Sequence, residues 1–122
     1  MKLEKNVIYF TGYIEINELV CNFLKELDDL QNFQNNFIII NLKNKCVCLI
    51  ENFSKGYSRF YKKDKCFFYS KSKDNLSEII SNLLLLYKFD IFTKEQFDRY
   101  VYLFNLKFSI FNGLLKKFEK NE

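Results

Sequence analysis

The chain has 122 residues, enough for one domain that buries roughly two-thirds of its unfolded surface without staples. Its apolar content of 48% and aromatic content of 19% exclude a disordered chain, and the absence of His removes imidazole bases, Ser-His and Cys-His pairs and His metal ligands. The net charge of +4 is unevenly placed: residues 1–42 carry three Lys against six acids (−3), residues 43–73 nine Lys and Arg against Glu51 and Asp64 (+7), and the remainder seven bases against seven acids (0).

Residues 7–13 are β-branched and aromatic and predict a strand ending near Gly12. Asn17 is an expected N-cap for a helix whose apolar stripe is Leu19, Val20, Phe23, Leu24, Leu27 and Leu30. Residues 37–42 predict a central strand, Lys43-Asn44-Lys45 a turn, and residues 46–51 the partner strand. A loop follows to Gly56, which is free to take a positive φ. Residues 57–62 and 65–70 predict a second hairpin around Lys63-Asp64. Asp74 caps a helix through Leu76, Ile79, Ile80, Leu83 and Leu84, and Thr93 with Gln96 forms a capping box for another, striped by Phe97, Tyr100, Val101 and Phe104. The tail at 108–118 is either one short helix or two pieces split at Gly113. The order β-α-β-β-β-β-α-α predicts a single α+β domain over residues 1–122: an antiparallel sheet of about five strands with helices packed on it.

This order resembles the N-terminal glutaminase-type domain of the asparagine synthase family, which includes the lasso-peptide cyclases. Phe10-Thr11-Gly12-Tyr13-Ile14 sits where family members carry an Asn-Gly or Asp-Gly string. Residues 37–42 and 46–50 are similar to the apolar hairpin, Glu51-Asn52-Phe53-Ser54 sits at the Arg-Asp-Arg-Phe-Gly-like loop, and Ser58-Arg59-Phe60-Tyr61 at the Tyr-Tyr strand. Phe67-Phe68-Tyr69-Ser70, Phe97-Asp98-Arg99-Tyr100-Val101 and Ser109-Ile110-Phe111-Asn112-Gly113 are similar to later strings. The resemblance implies a reduced Ntn-hydrolase-like scaffold. It does not carry the activity over. The nucleophilic Cys is replaced by Lys2, the glutamine-gripping Arg by a residue near Glu51 or Asn52 and the oxyanion Asn by Thr11, and no synthetase domain is expected. The expectation is a non-catalytic protein-binding accessory or recognition module that assists an amide-forming or peptide-modifying enzyme.

Three groups of residues are candidate sites. Cys46 and Cys48, two apart on a strand, would share a face and approach Cys66, with Cys21 or a carboxylate as a fourth ligand; free Cys is also commonly a small core residue, and no metal or other cofactor is expected. The basic patch Lys43, Lys45, Lys55, Arg59, Lys62, Lys63 and Lys65, with Lys71 and Lys73 beyond it, interleaves with Phe53, Tyr57, Phe60, Tyr61, Phe67 and Tyr69. Cations beside aromatics suit single-stranded nucleic acid, but they more simply form a solvated hairpin edge. Phe104, Phe108, Phe111, Leu115 and Phe118 exceed what one helical stripe needs, and form either core or an interface for a synthetase-like partner or a second copy. Glu15 and Glu18 form a carboxylate pair that more simply charges a helix start. Excess Phe, Ile, Lys and Asn reads as AT-rich codon supply, and a small phage or mobile-element inhibitor of a host defence protein or nucleic acid is the alternative function. Met1-Lys2-Leu3-Glu4-Lys5 opens no signal-like apolar run and no stretch is long enough to span a bilayer, so the expected setting is the cytoplasm, with reduced thiols and no membrane partner.

Overall fold

The computed structural model describes residues 6–119, and these form helices connected by short turns. Five α-helices follow in order: α1 (Thr11–Asp28), α2 (Phe37–Ser58), α3 (Lys62–Lys88), α4 (Lys94–Leu106) and α5 (Phe108–Glu119). Short 3-10 turns at Val7–Tyr9 and Gln31–Phe33 precede α1 and α2. No described residue lies in a strand. The expected α+β architecture, with its five-stranded antiparallel sheet and Ntn-hydrolase-like scaffold, is therefore replaced by an all-α fold.

The reason lies in the apolar spacing of the middle of the chain. Ile38, Ile39, Leu42, Cys46, Leu49, Phe53 and Gly56 are buried, and they recur every three or four residues rather than every two. That stripe runs straight through Lys43-Asn44-Lys45, so the expected turn is the interior of α2. Asn36 starts the helix, its Oδ1 accepting from the Ile38 and Ile39 amides at 2.8 and 3.4 Å. The expected second hairpin is likewise the first part of α3, buried along Tyr69, Ser72, Leu76, Ile79, Leu83 and Leu86. Lys63-Asp64 is its first turn, and Asp74 lies mid-helix. Asn17 is inside α1, where its Oδ1 accepts from the Cys21 thiol; Phe10 takes the N-cap position. The Thr93–Gln96 capping box is present. The tail is one helix, with Gly113 inside it and no positive φ at any described glycine. Just beyond the end of α3, Asp90 has a φ of 60° and turns the chain so that the Ile91 amide reaches the Leu86 carbonyl.

α2 and α3 form a long antiparallel hairpin, which their three-residue connection requires. Its register is visible in matched pairs: Gly56 lies against Tyr69, the Ser72 hydroxyl donates to the Leu49 carbonyl, Asn52 Nδ2 donates to Asn75 Oδ1, and Lys45 pairs with Glu78. α1 packs on α2, while α4 and α5 pack on α3. Two rings organise the core. Phe23 of α1 meets Phe92, Tyr100 and Phe104, with centroids 4.9–6.2 Å away. Phe53 of α2 meets Phe10, Tyr13, Tyr69 and Phe111 at 5.2–6.0 Å. Edge-to-face geometry adds roughly 0.5–1.5 kcal/mol per aromatic pair to the area each ring buries. Among the described residues, no helix is long and apolar enough to cross a membrane.

The strings that carried the family resemblance consequently sit in a helical frame. Thr11 and Gly12 open α1, Glu51 and Asn52 lie inside α2, and Lys2 lies outside the described residues.

Candidate functional site: a basic aromatic pole

The end of the molecule where α2 gives way to α3 is built by Arg59, Phe60 and Tyr61. Arg59 (φ −72°, ψ 145°) and Tyr61 (φ −84°, ψ 137°) are extended, so the chain reverses without coiling and turns these side chains outward. Phe60 is 88% exposed and Tyr61 68%, their rings edge-to-face at 5.2 Å. Phe67, 55% exposed, packs edge-on against Phe68 at 5.1 Å.

Cations flank these rings. The Arg59 guanidinium lies 4.7 Å from the Phe68 centroid, with Lys55 Nζ at 5.8 Å, and Lys71 Nζ lies 5.1 Å from Phe67. Between residues 52 and 68 the sequence carries Lys55, Arg59, Lys62, Lys63 and Lys65 against Asp64 alone, a local charge of +4 that equals the net charge of the whole chain.

Behind the turn lies a cleft of about 330 Å³ walled by Phe10, Tyr57, Tyr69, Leu114 and Phe118. Lys65 and Lys117 also line it. Lys65 Nζ donates to the Tyr57 and Gly56 carbonyls at 2.8 and 3.3 Å, which satisfies the open end of α2 with a favourable charge. Lost hydration, then the charge of Lys117, hold the Lys65 ammonium below its ordinary pKa of 10.5.

The basic patch expected from sequence is divided by the fold. Lys55, Arg59, Lys62 and Lys63 are exposed at the pole and Lys65 lines the cleft. Lys43 and Lys45 lie farther down α2, where Lys43 pairs with Asp28 at 2.7 Å and Lys45 with Glu78 at 2.8 Å. The second pair raises the pKa of Lys45 and lowers that of Glu78, chiefly through their shared hydrogen bond. Of the interleaved aromatics, Phe53 and Tyr69 are core, Tyr57 is half-buried, and Phe60, Tyr61 and Phe67 face solvent.

The expected apolar interface is also redistributed. Phe104 and Phe111 are fully buried among the aromatic hubs, and Phe108, Leu115 and Phe118 are half-buried against the core. The large exposed apolar groups at the pole come from the α2–α3 turn instead. Cys46 and Cys48 do not share a face: two residues on a helix turn about 200°, so Cys46 is buried while Cys48 is exposed. Cys21 is exposed and Cys66 half-buried, and no group of three or more metal-ligating side chains converges among the described residues. Glu15 and Glu18 sit in the first turns of α1, lining a shallow hollow with Asn22 and Lys107.

Sequence reasoning missed Phe68, the ring on which Arg59 rests, and the cleft residues Phe10 and Lys117. Phe68 carries a signal once α2 and α3 are read as a hairpin. The cleft carries none, because its walls come from both ends of the chain. The chain matches no protein-family model, no curated protein and no solved structure.

Proposed function

We propose that this protein is a non-catalytic protein-binding module that docks the α2–α3 turn onto an acidic partner surface. The observation that carries this reading is the Phe60–Tyr61 pair, two large rings held in solvent at a tight turn and flanked in sequence by Arg59, Lys62 and Lys63. Full burial of an exposed aromatic ring contributes roughly 1.5–3 kcal/mol, so two such rings can anchor an interface while the surrounding cations select its charge. The compactness of the cluster favours a protein partner. A nucleic-acid strand needs a track of cations, and Lys43 and Lys45, which would extend one along α2, are held in ion pairs. The absence of His and the make-up of the pole, cations and rings with Asp64 as its acid, support binding rather than turnover. The reading includes a reducing, cytoplasmic setting, supported by the exposed thiols of Cys21 and Cys48.

A fluorescence titration tests it, using a labelled peptide of alternating Glu and Leu and, separately, labelled oligothymidylate. The wild-type chain is expected to bind the peptide, and Phe60→Ser with Tyr61→Ser to weaken it about tenfold or more without altering the helical circular dichroism. Lys62→Glu with Lys63→Glu has the same expected effect. Binding of oligothymidylate alone, lost steeply with added salt, would replace this reading with the nucleic-acid one.

A further inference from the structure

We propose that the solvent side of α2 is a dimer seam, on which a second copy of this chain packs its own α2 antiparallel. A helix at the surface of a protein turns a polar face to water. α1 does so with Glu15, Glu18, Asn22 and Lys25, all exposed. α2 does not. Its buried stripe from Ile38 to Gly56 faces the core, yet Phe37, Ile40 and Val47 point the other way and are 70%, 47% and 49% exposed.

The spacing of these groups is that of a coiled-coil seam. Phe37, Ile40, Asn44, Val47 and Glu51 are all exposed and follow steps of three, four, three and four residues, which keeps them on one line along the helix. Phe37 and Asn44 take the first apolar position of successive heptads, and Ile40 and Val47 the fourth. Asn44 weakens the seam and fixes its register, as a polar residue at that position does. Beyond Val47 the line turns polar with Glu51, Lys55 and Ser58.

Charge selects both the occupant and its direction. The basic pole lies at the C-terminal end of α2. Asp29 and Asp28, the latter paired with Lys43, lie where α1 leads into the N-terminal half of α2. A parallel pair of α2 helices sets the two poles, and the two Glu51 carboxylates, side by side. An antiparallel pair brings Lys55 and the pole of each copy toward the acidic connection of the other, so the molecule is complementary to itself. With the two-fold axis at the level of Leu42, Phe37 meets Val47 of the second copy and Ile40 meets Asn44, each contact being made twice. The overlap is short and lies at the small end of specific interfaces, which corresponds to a Kd on the order of 10–100 µM.

Sedimentation velocity of the full chain in reductant, from about 1 to about 300 µM, tests the seam. A monomer–dimer transition is expected within that range. Ile40→Lys with Val47→Lys, both at exposed positions, should abolish the dimer, and Asn44→Leu should tighten it about tenfold. Phe60→Ser with Tyr61→Ser should dimerise as the wild type does, so that failure of the seam and failure of the docking surface are read separately. A chain that stays monomeric throughout would overturn the proposal and leave the seam to a helix of another protein. A dimer indifferent to Ile40→Lys with Val47→Lys would overturn it equally. Oxidative cross-linking with Cys21→Ser and Cys48→Ser in place reads the direction. Phe37→Cys with Val47→Cys should give disulfide-linked dimers and Val47→Cys alone none. A cross-link from Val47→Cys alone would show a parallel pair and overturn the antiparallel one.

Discussion

Gly56 and Gly113 show how differently one residue type behaves in two helices. A Cβ on Gly56 would lie 2.7 Å from the Cδ1 and Cε1 atoms of Tyr69. That ring cannot swing aside, because Phe53 meets it edge-on at 5.8 Å and Phe118 stacks on it at 6.1 Å. Gly113 has nothing within 4 Å of the corresponding position. Gly56→Ala is therefore expected to destabilise by about 1–3 kcal/mol, overcoming the gain in helix propensity, whereas Gly113→Ala should stabilise by about 0.5–1 kcal/mol. Urea unfolding of the two variants checks this, and a stabilised Gly56→Ala would contradict the packing described. The sequence marked Gly56 as special and assigned the wrong cause. A glycine after Asn52-Phe53-Ser54 suggests a loop, but here it is the absence of a side chain, not a left-handed backbone, that the fold uses.

At the scale of elements, the helices with clean stripes were legible. Leu19, Val20, Phe23 and Leu27 mark α1, and Thr93 with Gln96 marks the start of α4. α2 was concealed by composition. Phe37-Ile38-Ile39-Ile40 is β-branched and locally favours a strand, and Lys43-Asn44-Lys45 has the polarity of a turn. Tertiary packing overrides both preferences, since the three-four spacing from Ile38 to Gly56 buries one continuous face against α3. The site was legible only as a local excess of cations and rings; the ion pairs that withdraw Lys43 and Lys45 depend on partners far along the chain. Between α1 and α2, Gln34 is the joint. Its Nε2 lies 2.9–3.2 Å from the carbonyls of Leu27, Asp28 and Leu30, and its Oε1 accepts from Lys43. Gln34→Ala leaves these carbonyls without that donor and is expected to cost about 1–2 kcal/mol, read as a lowered thermal midpoint. An unchanged midpoint would show that water serves α1 equally well.

For the molecule as a whole, buried thiol and phenol protons lower stability at alkaline pH, with Tyr100 raised by burial in the same direction as the two largest cases. Burial pushes the Cys46 thiol up to about 12 from 9.0, and burial, with Tyr57 and Cys66 adding to it, pushes the Tyr69 phenol up to about 12 from 10.0. Both values are raised in the folded state. The stabilisation is therefore complete below pH 9 and is lost as the pH rises toward 12, at about 1.4 kcal/mol per pH unit for each group once its unfolded counterpart ionises. Lys65, with its lowered pKa, acts in the opposite direction below 10.5. Cys46→Val should make the decline between pH 9 and 12 measurably shallower in urea titrations, and an unchanged slope would exclude the thiol as a cause. The placement of the Phe53 ring has a consequence of another kind. It gathers Phe10 from before α1, Tyr69 from α3 and Phe111 from α5, so segments near the two ends of the described chain meet toward the C-terminal end of α2. Peeling either end away removes Phe10, or Leu114 and Phe118, from the cleft, yet leaves the α2–α3 turn standing. The two surfaces thus report different degrees of folding: the turn requires only a hairpin of neighbours in sequence, while the cleft exists only in a molecule whose ends are both docked.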